Sequence, residues 1–126
     1  MKANDPSRRR AIEKQAEYLR DNMNGAETKV KNWLIWAGVK FTAQKPIYLD
    51  GYPFILDFAI TRNGKIIGAI EVNGYFHNLN RQERDFNLSC AIPYPLLFID
   101  ASDCYRAGKA VRAKIASFLD EHKLRD

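Results

Sequence analysis

A single change in hydrophobic period divides this chain and fixes its fold class. Before Gly38, apolar residues return at spacings of three and four, the repeat of a helix buried along one side. From Phe41 onward they return at spacings of two, the repeat of a strand. The run Phe41 to Leu49 ends at Asp50-Gly51, a turn pair. Phe54, Leu56, Phe58 and Ile60 then alternate with Ile55, Asp57 and Ala59, and after Asn63-Gly64 the run Lys65 to Val72 is again strand-like. Asn-Gly between two such runs marks a hairpin. Ahead of the strands the spacing predicts a helix from Ser7 to Asn22, with Ile12, Ala16, Leu19 and Met23 on one face. A second helix follows from Ala26 to Ala37, carrying Val30, Trp33, Leu34 and Ala37 and stopped by Gly38. Beyond the hairpin come a helix from Arg81 to Cys90, a short buried strand from Tyr94 to Ile99, and a closing helix from Ser102 to His122 with Val111, Ile115, Phe118 and Leu119 inward. The order predicts an α/β fold, a central mixed four-stranded sheet flanked by helices, with a meander followed by one crossover. Residues 1–24 are expected to form a basic helical arm and residues 25–126 the domain proper.

Composition supports a folded chain and narrows its class. The 126 residues are 46% hydrophobic and 28% charged, enough for one core and too apolar for a disordered segment. No apolar stretch approaches the roughly 20 residues of a membrane-spanning helix, and Met1 to Ile12 lacks the apolar segment of a secretory signal. An intracellular, cytoplasmic location with no membrane association is therefore expected. Cys90 and Cys104 have neither a disulfide framework nor zinc-site spacing and read as ordinary thiols. The net charge of +5 is concentrated at the front, where residues 1–45 hold ten basic and five acidic residues against ten of each in the remainder. Such an arm suits a polyanion, although a solvated helix face would have the same composition.

Two carboxylates interrupt apolar strands. Asp57 sits within Phe54 to Ile60 and Glu71 within Ile66 to Val72, where an isolated charge is costly unless paired, hydrogen-bonded or bound to a cation. Hard oxygen ligands on neighbouring strands suit Mg²⁺. Whether they meet depends on the hairpin register. A two-residue Asn63-Gly64 turn places Asp57 opposite Ile70 and turns Glu71 to the other face. A three-residue Arg62-Asn63-Gly64 loop pairs Ile55 with Glu71 and sets Asp57 diagonal to it on one face. A shared site thus requires an odd loop or a bulge. Asn73 follows Glu71 on the same face, and His77, after Gly74, is a candidate general base. Glu27 follows Asn24 by three, the spacing of a capping box, and also lies on the inward side of its helix, so it either caps or faces the sheet, or does both. Asp85 reads as part of a charge run and His122 as an exposed histidine. Trp33 belongs to the core face of its helix, whereas Trp36 stays open between packing and base stacking.

Taken in order, several segments resemble the very-short-patch-repair-type branch of the restriction-endonuclease-like nucleases. They are Ala26-Glu27, Gly38-Val39-Lys40-Phe41 with Gln44-Lys45-Pro46-Ile47, Leu56-Asp57-Phe58, Ile70-Glu71-Val72-Asn73-Gly74 with His77, and Glu83-Arg84-Asp85. Members of this branch, homing endonucleases among them, share a Glu, Asp, any residue, His, Asp constellation, which falls here on Glu27, Asp57, Asn73, His77 and Asp85. The resemblance implies a Mg²⁺-dependent DNA endonuclease in which Mn²⁺ can substitute. Asp57 and Glu71 would hold the metal, Glu27 would assist from its helix, His77 would activate or position water, and Asp85 would orient His77 or help bind metal. The chain departs from the pattern at Asn73, where many relatives carry Asp and the wider superfamily often Lys. The rival expectation is a nuclease-fold DNA-binding module that has lost catalysis through that residue. Arg8, Arg9, Arg10, Lys14 and Arg20 are the candidate phosphate contacts, with Arg81 and Arg84 behind them. Cutting both strands would call for a homodimer, a partner protein or repeated action.

Overall fold

The structure, a computed structural model, describes residues 6–49, 51–73 and 86–125. Helices α1 (Pro6–Asp21) and α2 (Gly25–Trp36) precede strands β1 (Phe41–Leu49), β2 (Tyr52–Arg62) and β3 (Lys65–Asn73). A helical segment over 86–91, α3, leads to β4 (Leu96–Asp100), α4 (Ala101–Arg106) and α5 (Gly108–Glu121). The sheet order is β1-β2-β3-β4, antiparallel through β3 and parallel between β3 and β4. That is the expected mixed four-stranded sheet of a meander and one crossover.

Local chemistry explains the boundaries. Asn24 caps α2, and Gly38, at φ +74°, ends it: the Gly38 N–H donates to Ile35 O and the Val39 N–H to Leu34 O, which satisfies carbonyls that the helix leaves without partners. The β2–β3 turn has φ 54° at Asn63 and 77° at Gly64, the doubly left-handed turn that matches strand twist. Pro46 is tolerated in β1 because β1 is an edge strand. The expected single closing helix is two. Ala107, at φ −140° and ψ 46°, breaks it ahead of Gly108, and the bend lets Ala101 and Cys104 reach the same core as Val111, Ile115, Phe118 and Leu119.

Helices α2, α4 and α5 cover one face of the sheet, burying Val30, Leu34, Phe58, Ile60, Ile70 and Ile99. On the other face Leu88 and Ile92 close over Leu56, Ala59 and Ala69. The alternation that suggested one continuous strand face changes phase partway along. Phe41 and Ala43 pack with the first core, but Ile47 and Leu49 with the second; likewise Phe58 and Ile60 join the first core, but Phe54 and Leu56 the second. The switch falls at Gln44 in β1 and at Asp57 in β2. Strict alternation cannot survive a left-handed residue, and Gln44 has φ 51°.

Leu34 is fully buried at the centre of the larger core. Leu34→Ala is expected to cost about 2–5 kcal/mol of stability through lost burial and the cavity left behind, measured as a lower urea midpoint at unchanged m-value.

Candidate active site

The hairpin adopts neither of the two simple registers. Its turn is the two-residue one, with Arg62 opposite Lys65 and Thr61 opposite Ile66, yet the register then shifts, and Ile60 faces Gly68, Ala59 faces Ala69 and Phe58 faces Ile70. A β-bulge therefore holds one extra residue, Ile67, in β3. Continuing the shifted register one step beyond Phe58 and Ile70 sets Asp57 directly opposite Glu71. Without that residue, Glu71 would point to the opposite face. Both carboxylates then bond across the strand pair. The Asp57 N–H donates to Glu71 Oε1 at 2.8 Å, and the Val72 N–H donates to Asp57 Oδ2 at 2.8 Å. Each side chain thus replaces a ladder hydrogen bond of the opposing strand, which fixes its orientation. Glu71 is only 7% exposed, so these charge-assisted bonds compensate a real desolvation cost.

Glu27 reaches the same place from α2. Its backbone N–H donates to Asn24 Oδ1 at 2.8 Å and its Oε1 accepts from the Asn24 N–H at 3.2 Å, the reciprocal capping box. Its Oε2 accepts from Gln44 Nε2 at 2.8 Å. Capping and facing the sheet therefore coexist. Gln44 is 2% exposed and lies opposite Asp57 in the register that holds on both sides of it, Ala43 with Phe58 and Lys45 with Leu56. A left-handed conformation costs a non-glycine residue about 1–2 kcal/mol. Glu27, Gln44, Asp57 and Glu71 line a cleft of about 570 Å³, whose far wall is α1 through Ile12, Gln15 and Leu19.

Helix α1 is docked on the sheet rather than held away from it. Ala16 is fully buried, Arg20 Nε donates to Ala43 O at 3.0 Å, and the Arg9 guanidinium lies 4.5 Å from the centroid of the Tyr48 ring. Two of the five candidate phosphate contacts on this helix thus also brace it. Arg10 and Lys14 are exposed and Arg8 is half-buried. Asn73 is buried at the end of β3 opposite Asp100 of β4 and does not line the cleft. His77, Arg81, Arg84 and Asp85 lie outside the described residues. Among the described residues no three His, Cys, Asp or Glu side chains gather around a common cation position. Trp33 packs partly buried against the larger core, as its spacing implied, while Trp36 is 88% exposed. Cys104 is buried, and burial, aided by Asp103 and Asp100, pushes its thiol pKa up, which suits an inert core residue. No described helix is long and apolar enough to cross a membrane.

Sequence pattern gave no sign of the α1 wall or of the role of Gln44. Glutamine has no preference for left-handed backbone, and the only hint at irregularity was Pro46 two residues on.

No protein-family model matches the chain, and no curated protein does. Among solved structures the fold is similar to that of the homing endonuclease I-Bth0305I catalytic domain, with a TM-score of 0.59 and 22% sequence identity, over 79% of this chain and 97% of that one. The chain therefore has the fold of a nuclease domain, a mixed sheet flanked by helices.

Because Asn24 holds both ends of the capping box, Asn24→Ala is expected to destabilise the protein by about 1 kcal/mol. Asn24→Asp should retain most of that stability, since its carboxylate still accepts the Glu27 N–H. Chemical denaturation of the three proteins distinguishes the outcomes.

Proposed function

We propose that this chain is a Mg²⁺-dependent DNA endonuclease of the very-short-patch-repair-type branch. The observation that carries the reading is the bulge-dependent placement of Asp57 opposite Glu71, with Glu27 in the same cleft. A shared fold with a homing endonuclease catalytic domain supports it. Two carboxylates are a suitable donor set, because Mg²⁺ dehydrates reluctantly and is commonly held by one or two carboxylates together with water and substrate phosphate. When bound, such a cation supplies charge neutralisation at the scissile phosphate and lowers the pKa of water.

The chain's own residues divide the remaining work. Asp57 and Glu71 present oxygen donors whose direction is fixed by the two cross-strand bonds. Glu27 adds a third negative group elsewhere on the wall of the same cleft, anchored by Asn24 and Gln44. His77 is assigned to position or deprotonate the attacking water, and Asp85 to orient His77 or help hold metal. Asn73 adds no charge; its amide is assigned a supporting place at the strand end. Arg8, Arg10 and Lys14 are assigned to backbone phosphates, with Arg9 and Arg20 beside them on the same helix and Arg81 and Arg84 as further contacts. These cations offset the repulsion that an acidic cleft would otherwise exert on DNA. One chain offers one such site, so a double-strand cut calls for two copies, a partner chain or two successive events.

Purified protein should nick plasmid DNA with Mg²⁺ or Mn²⁺ and stop when EDTA is added. Asp57→Asn, which keeps an oxygen to accept the Val72 N–H but removes the charge, is expected to lower cleavage by about a hundredfold or more, about 3 kcal/mol of barrier, in a protein that remains folded by circular dichroism. Equal cleavage by the variant would overturn the site, and metal-dependent DNA binding without cleavage by the wild type would favour the binding-module reading.

Arg10→Ala and Lys14→Ala are expected to weaken binding to all DNA sequences alike. Each should reduce the slope of log affinity against log salt by about 0.9 for every phosphate contact removed. Titrations by fluorescence anisotropy at several salt concentrations measure this, and an unchanged slope would move the phosphate contacts elsewhere.

A further inference from the structure

Resting on the endonuclease reading above, we infer that Gln44 is a positioning residue for that reaction, holding the Glu27 carboxylate in the cleft from a strained point of β1 opposite Asp57. Three independent features of the structure meet in this side chain.

The first is its backbone. Left-handed conformation falls on glycine at Gly38, Gly51 and Gly64, on Asn63 in a tight turn, and on Lys123 just beyond a helix end. Among the described residues Gln44 is the non-glycine case in a strand interior, at φ 51°. Turns and helix ends account for the others, whereas β1 continues in the same register on both sides of Gln44. Glycine would hold this conformation without steric conflict. A side chain kept here in spite of the backbone has a task, and strained residues of this kind gather at functional sites.

The second is burial. An amide that is 2% exposed needs partners, and Gln44 Nε2 finds one in Glu27 Oε2 at 2.8 Å. With Asn24 on Oε1 and Gln44 on Oε2, both oxygens of Glu27 are oriented, one from its own helix and one from the sheet. Capping alone would tie Glu27 to its helix; the Gln44 bond is what ties it to the strands that carry Asp57.

The third is phase. At Gln44 and at Asp57 the inward side chains of β1 and β2 change from one core to the other. The left-handed residue thus lies where the ribbon reverses its faces, opposite the point of β2 at which Asp57 meets Glu71. Gln44 touches no reacting atom in this scheme; it acts through Glu27.

Gln44→Gly tests the role while preserving the backbone conformation, and Gln44→Asn does so with a residue that tolerates left-handed geometry but whose amide is one methylene too short to reach Glu27. Both are expected to fold, to bind DNA with wild-type affinity, and to show kcat lowered about tenfold or more at unchanged KM. The double variant of Glu27→Ala with Gln44→Gly should cleave no more slowly than Glu27→Ala alone, because the two residues act as one unit. In the metal-free protein the Gln44 side-chain amide NMR signals should shift on Glu27→Ala. Full cleavage by both Gln44 variants, or losses that multiply in the double variant, overturns the inference. A wild-type chain that cleaves no DNA brings down the endonuclease reading and the role in turnover with it. An amide signal indifferent to Glu27→Ala overturns the Gln44–Glu27 contact separately, whatever the activity.

Discussion

Two hydrogen bonds between strands, each from a backbone N–H to a carboxylate of the other strand, organise the centre of this protein. The Asp57 N–H donates to Glu71 Oε1 and the Val72 N–H to Asp57 Oδ2, both at 2.8 Å, so the pair is tied where ordinary ladder pairing ends. Two like charges on directly opposed positions repel, and here backbone donors stabilise each anion while holding it in place. Charge-assisted bonds of this kind contribute about 1.5–3 kcal/mol each, which is large beside the small margin by which a domain of this size stays folded. On the endonuclease reading proposed above, the same geometry that makes the pair tolerable in a folded chain would present it to a cation.

That pairing is the consequence of one extra residue. The Asn63-Gly64 turn by itself would send Glu71 to the wrong face, and the bulge at Ile67 restores it. Bulges increase local twist and re-aim side chains, and this one lies between a turn whose chemistry is fixed by Asn and Gly and a strand end whose chemistry is fixed by acids. Gln44 supplies a matching irregularity on the other side of β2. The irregularity in β1 lies at the cleft itself, opposite Asp57, whereas the one in β3 lies nearer the turn, opposite Ile60 and Thr61, and acts on the cleft through the register it sets.

Around this centre the helices serve both packing and electrostatics. Helix α2 buries Val30 and Leu34 and, through its capping box, delivers Glu27 to the cleft. Helix α1 contributes apolar residues to the cleft wall and an arginine-rich surface beside it, with Arg9 and Arg20 fastened to β1. On the proposed reading, an acidic pocket bordered by cations would suit a polyanion whose backbone has to approach carboxylates.

Much of this was written in the residues. Periods of 3.6 and 2, with Gly38, Asp50-Gly51 and Asn63-Gly64 as punctuation, determined the elements and the mixed sheet. Asp57 and Glu71 stood out because charges do not belong in apolar strands, and Glu27 because of its distance from Asn24. What pattern could not decide was phase. Local sequence specifies alternation but not a one-residue slip, because a bulge costs little locally and is selected by what the distant strands and helices must bury together. So the extra residue in β3, the reversal at Gln44, the break at Ala107 and the docking of α1 were settled only by tertiary packing. The sequence alone determined which acids had to find partners; the folded chain decided that two of those acids would face each other.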